Sequence, residues 1–65
     1  MLIKINGRDS EVAEDITIQE ILSSSGFKDS LIVVELNGAV TGRESWATPL
    51  KAGDSLEIVR VIGGG

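Results

Sequence analysis

A chain of 65 residues with no cysteine and no histidine makes one domain at most, holds no disulfide and lacks the usual ligands of a metal site. Its net charge of −4, from ten acidic and six basic residues, argues against nucleic-acid binding, which rests on neutralising phosphates. No apolar run approaches the ~20 residues needed to span a bilayer, so the expectation is a soluble protein, compatible with the cytoplasm, that binds neither membrane nor nucleic acid.

A domain this short buries only ~60% of the surface its unfolded chain exposes, so its 42% apolar residues must be well placed. Met1, Ile3 and Ile5 alternate onto one face of a first strand, with Leu2 and Lys4 on the other. Asn6-Gly7 predicts a two-residue hairpin turn, because both positions take positive φ. A second strand over about Asp9 to Ala13 then returns antiparallel, with Val12 as its core residue. Thr17 is placed to cap a helix, and Glu20, three residues on, completes a capping box. Ile16 and Ile21 form the accompanying hydrophobic staple, and Ile18, Ile21 and Leu22 share one helical face. Ser23-Ser24-Ser25 weakens the helix end and Gly26 terminates it.

Leu31 to Leu36 is apolar on both faces, as an interior strand should be, and Asn37-Gly38 turns it into a short strand at Ala39-Val40. Arg43 to Ala47 reads as a turn of helix or 3₁₀, closed by Thr48-Pro49, and Trp46 as a lid on one end of the core. Gly53-Asp54 leads into the last strand, Ser55 to Val61. The order β-β-α-β-β-β, with a parallel pairing of first and last strands across the helix, is an α+β arrangement. It predicts a ubiquitin-like β-grasp, a mixed sheet of four to five strands crossed by one helix.

Side-chain catalysis has little to stand on. There is no His or Cys, no phosphate-binding G-x-x-x-x-G-K-[ST] loop and no G-x-S-x-G elbow. Glu11, Glu14 and Asp15 fall around a loop, and a domain of this size has little room for a concave site of ~300–1,000 Å³. The chain instead ends in Gly63-Gly64-Gly65, which offers a free α-carboxylate on a leader without side chains. The expected organisation is a domain over residues 1–62 and a flexible tail over 63–65. Its working group is the Gly65 carboxylate, threaded on Gly63 and Gly64, and the chain is a substrate or carrier with no enzyme activity and no bound cofactor. Strand parity places Leu2, Val33, Glu57, Val59 and Val61 on the sheet face away from the helix, edged by Lys4 and Glu35. Leu2, Val33, Val59 and Val61, with Ile62 following, are the candidate partner-binding residues, because contiguous exposed apolar surface marks interfaces.

Four stretches carry a family likeness: Val34-Glu35-Leu36-Asn37-Gly38, Arg43-Glu44-Ser45-Trp46-Ala47, Leu50-Lys51-Ala52-Gly53-Asp54 and Val61-Ile62-Gly63-Gly64-Gly65. Over its whole length the chain resembles the small ThiS-like sulfur-carrier proteins of thiamin biosynthesis, members of the ubiquitin-like β-grasp group. Gly42 departs from the pattern, since relatives often have proline there. The resemblance implies that an E1-like adenylyltransferase uses ATP to convert the Gly65 carboxylate to an acyl-adenylate. Sulfur from a donor such as a cysteine desulfurase then makes a thiocarboxylate, which thiazole synthase accepts. Two other readings remain open at this level: the small subunit of molybdopterin synthase, usually a longer chain, and a β-grasp binding module with an inert tail.

Overall fold

The structure, a computed structural model, describes residues 1–27 and 31–61. Two asparagine-glycine turns set its geometry. Asn6 and Gly7 take φ of 51° and 82°, and Asn37 and Gly38 take 52° and 88°, the positive values a tight hairpin requires. The first turn joins β1 (Leu2–Ile5) to β2 (Arg8–Glu11), the second β3 (Ile32–Leu36) to β4 (Ala39–Thr41), both antiparallel. β2 ends at Glu11, short of the expected Ala13, because the chain then turns towards the helix through Asp15 at φ 63°.

Helix α1 (Ile18–Ser24) begins as the sequence predicts. Glu20 N–H donates to Thr17 Oγ1 at 3.2 Å and Thr17 N–H donates to Glu20 Oε1 at 3.0 Å, so each satisfies a donor of the other. Ser25 caps the far end, Gly26 takes φ 80°, and Phe27 N–H donates to Leu22 O at 3.0 Å, the reverse closure of a Schellman ending. Ile18, Ile21 and Leu22 face inward and are buried.

The last strand, β5 (Ser55–Arg60), completes a sheet of order β2-β1-β5-β3-β4. It runs parallel to β1, with Lys4 opposite Ser55 and Ile5 opposite Leu56, and antiparallel to β3 over five residue pairs. Ile3, Val34, Leu56 and Ile58 project onto the helix side and build the core with Ile18, Ile21, Leu22, Trp46 and Leu50. This is the α+β β-grasp, with all five strands present. A 3₁₀ turn over Arg43–Ser45 delivers Trp46, only 6% exposed, as the lid over the helix start. Gln19 N–H donates to Trp46 O at 3.0 Å, and the Arg43 guanidinium lies 5.3 Å from the ring centroid. The indole N–H is buried without an acceptor among the described residues, so Trp46 contributes by filling space rather than by polar contact.

The two turn asparagines, expected to serve the backbone alone, also grip β5 through their side chains. β1 bonds to β5 through Lys4 N–H to Asp54 O and Asn6 N–H to Leu56 O, then turns away. The Asn6 side chain carries the ladder one step further: its Oδ1 accepts from Ile58 N–H at 2.7 Å, and its Nδ2 donates to Ile58 O at 3.4 Å. On the other edge, Asn37 Oδ1 accepts from Ser55 N–H at 2.9 Å, and Nδ2 donates to Asp54 Oδ1 at 3.1 Å. Asn6→Gly keeps the turn, since glycine adopts positive φ freely, but strands the half-buried Ile58 N–H. It should cost about 1–3 kcal/mol, read as a lowered melting temperature with faster amide exchange at Ile58. An unchanged melting temperature would mean that Asn6 serves the turn alone.

Candidate functional site

Strand alternation divides β3 and β5 cleanly. Val34, Leu56 and Ile58 are buried on the helix side, while Val33, Glu57, Val59 and Val61 turn outward. Val33 lies directly opposite Val59, and Val61 N–H donates to Leu31 O at 2.8 Å, so the pairing continues past the ends of both strands. Leu31, Val33, Val59 and Val61 are 68%, 38%, 52% and 48% exposed and make one apolar patch at the end of the sheet where the chain leaves for its C-terminus. Leu31 stands outside the patch expected from the sequence, where Leu31 to Leu36 reads as an interior strand apolar on both faces. It begins the strand's outward-facing series, which the spacing Leu31, Val33, Glu35 could have revealed.

Leu2 is outward and half exposed as expected, but the register sets it apart. Gly53 N–H donates to Leu2 O, and Val59 lies six residues further along β5, about 20 Å away at ~3.3 Å per residue. Between them stand Lys4, Glu57 and Glu35. Parity alone could place these residues on one face, but only the β1–β5 register could say how far along it they lie. Ile62, Gly63, Gly64 and Gly65 fall outside the described residues, as do the proposed domain boundary after residue 62 and the expected flexibility of the tail.

One groove runs beside the helix, about 580 Å³ and widely open, lined by Ile16, Gln19, Glu20, Ser23 and Ser24. That volume lies within the ~300–1,000 Å³ for which a domain of this size has little room, because the exposed flank of a short helix walls it. Its one carboxylate, Glu20, is already engaged with the Thr17 N–H and hydroxyl at 3.0 and 3.1 Å. Among the described residues no group of acidic side chains is arranged to hold a metal ion, and no helix is long and apolar enough to cross a membrane. Gly42 precedes the 3₁₀ turn at φ −80°, a value within proline's range, so the departure from the family pattern leaves the local backbone in the conformation proline would impose.

An acidic β-grasp domain with a packed inner face and an apolar outer patch beside its C-terminal exit has the form of a ubiquitin-like carrier. The profile of the ThiS family matches residues 3–65, and the chain belongs to that family. It is 33% identical to the sulfur carrier protein ThiS of Bacillus subtilis over 66 aligned residues, 98% of this chain and 100% of that one. The crystal structure of the thiamine biosynthesis protein ThiS from Geobacter metallireducens superposes with a TM-score of 0.80 at 39% identity, covering all of both chains. The whole of this chain also aligns, at 35% identity, with 20% of a thiazole synthase from Magnetococcus marinus.

The patch makes a direct prediction. Val59→Asp, at its centre, should leave the fold intact because Val59 is half exposed, yet weaken docking on an enzyme that acts on the C-terminus by about tenfold or more. Leu2→Asp, on the same face but remote, should have little effect. Titration of each folded variant against that enzyme separates the two, and equal losses would show that the partner covers the whole face.

Proposed function

We propose that this chain carries sulfur as a thiocarboxylate on Gly65 and delivers it for thiazole formation in thiamin biosynthesis. The observation that carries the reading is that the family match runs to the last residue, so it takes in the glycine end as well as the domain. A carboxylate is a poor electrophile because its carbonyl carbon is shielded by delocalised charge and would have to expel an oxide. Adenylation by an E1-like enzyme removes that obstacle: a carboxylate oxygen attacks the α-phosphorus of ATP and pyrophosphate leaves. A donor persulfide, such as that of a cysteine desulfurase, then attacks the carbonyl carbon and AMP departs with the electron pair. A thiol cleaves the resulting acyl disulfide and is itself oxidised to a disulfide, leaving the thiocarboxylate. ATP is thus the partner's substrate and no cofactor belongs to the carrier. A cytoplasmic location, where ATP is supplied, accords with these reactions.

Thiazole synthase is the proposed acceptor. The Magnetococcus thiazole synthase contains a segment that aligns with this entire chain, and domains joined in one polypeptide commonly work together. The carrier contributes positioning. Its body binds the enzyme and holds the terminus at high effective concentration, and residues without side chains pass where a Cβ would collide.

Reaction with ATP, a persulfide donor and the adenylyltransferase should replace one oxygen of Gly65 by sulfur and leave every side chain unchanged, as read by mass spectrometry of the C-terminal fragment. Removing Gly64 and Gly65 should abolish loading while the fold persists, since the described core residues all precede Val59. Adding one bulky residue should do the same by displacing the carbonyl some 3.3–3.6 Å, when errors of ~1 Å already cost large factors in rate. Normal loading of either variant would overturn the proposal.

A further inference from the structure

Glu35 and Glu57 face each other directly across β3 and β5, on the outer side of the sheet, one step along from the Val33–Val59 pair. Like charges in that relation destabilise a sheet, because the side chains of directly opposed residues project in parallel about 5 Å apart. Among the described residues nothing relieves them. The ion pairs there join Met1 to Glu11 and Lys4 to Asp9, and Lys4 Nζ leans 3.9 Å from Asp9 Oδ1, towards β2. Among the described residues neither glutamate carboxylate accepts a hydrogen bond, in contrast to Glu20 and Asp54, which are engaged with backbone donors. A domain with a thin stability margin thus keeps two like-charged side chains, unpaired among the described residues, beside an exposed apolar patch.

We propose that this glutamate pair is a specificity determinant for the adenylyltransferase, whose docking surface presents an apolar centre to Leu31, Val33, Val59 and Val61 and an arginine to Glu35 and Glu57. The inference rests on the carrier reading above and deepens it. The reach of the chain requires the enzyme to be here. Four residues, 62–65, follow Val61 and extend about 14 Å at most, so any site that holds the Gly65 carboxylate sits close to this end of the sheet. The register places the required cation about 7 Å from the Val33–Val59 centre, two residues along each strand. Arginine suits the rung better than lysine, because its planar fork offers donors to two carboxylates at once, and docking converts a repulsion in the free carrier into a shared attraction.

This predicts a stability effect and a binding effect of opposite sign, which a purely structural or purely solubilising pair would not produce. Glu57→Gln and the double variant Glu35→Gln/Glu57→Gln should melt about 1–3 °C above the full-length wild type, as the like-charge contact is removed. In ATP–pyrophosphate exchange with the cognate adenylyltransferase at low ionic strength, the double variant should raise the KM for carrier about tenfold, with the loss falling on KM rather than kcat. Added salt should raise the wild-type KM and flatten the difference, since the lost interaction is between charges at a surface. A higher melting temperature with unchanged KM, or a raised KM with a lowered melting temperature, would overturn the assignment. If wild-type carrier supports no exchange at all, the carrier reading itself has failed and this inference falls with it. Exchange by wild type and double variant at equal KM removes the glutamate pair alone.

Discussion

β5 is gripped from both edges, and the rest of the molecule follows from how unequal those grips are. Towards β3 it has a regular antiparallel ladder of five residue pairs, while towards β1 only two parallel pairs form before β1 turns off. A parallel contact so short would leave the middle of β5 with open N–H groups beside a buried core. The Asn6 amide fills that gap at Ile58, and Asn37 does the equivalent at Ser55 on the other side. Because Ile58 is itself anchored and Leu56 follows the other anchored residue, Ser55, fixing the backbone also fixes these two side chains in the core.

This arrangement separates stability from function by strand parity. Residues of β3 and β5 that face the helix make the core, and their immediate neighbours face outward and are free to serve a partner. Such a division suits a small sulfur carrier. On the proposed reading its chemistry resides in a carboxylate at the chain end, and the domain serves to be recognised and to hold that end in reach. An unfavourable feature on the outer face, such as the Glu35–Glu57 rung, is tolerable because the inner face bears the stability.

The architecture was legible in the sequence because its local signals agree with one another. The capping box at Thr17 and Glu20, both asparagine-glycine turns and the alternation of β5 each point to the same topology, and each is realised. What could not be read depends on distant partners. Leu2 has the right parity for the patch but lies at the wrong height, because height along a sheet is set by strand register and not by periodicity. Leu31 was missed because an unbroken apolar run conceals which residue meets solvent first. The asparagine clasps span 52 and 18 residues in sequence, so no local pattern announces them. Within the proposed site, the outer patch follows from alternation once register is known, whereas the role of Gly65 came from composition and likeness.

The clasps also give the protein a chemical lifetime. In an asparagine-glycine pair the backbone nitrogen of the unhindered glycine can close on the side-chain amide, expelling ammonia and leaving a carboxylate after hydrolysis, which is one reason asparagine is a heat-sensitive residue. At most surface turns that event adds a charge and little else. At Asn6 it would replace the Nδ2 donor with an oxygen facing the Ile58 carbonyl oxygen, setting two acceptors against each other at the strand that organises the core. Ageing at an outer turn would thus be felt inside the domain.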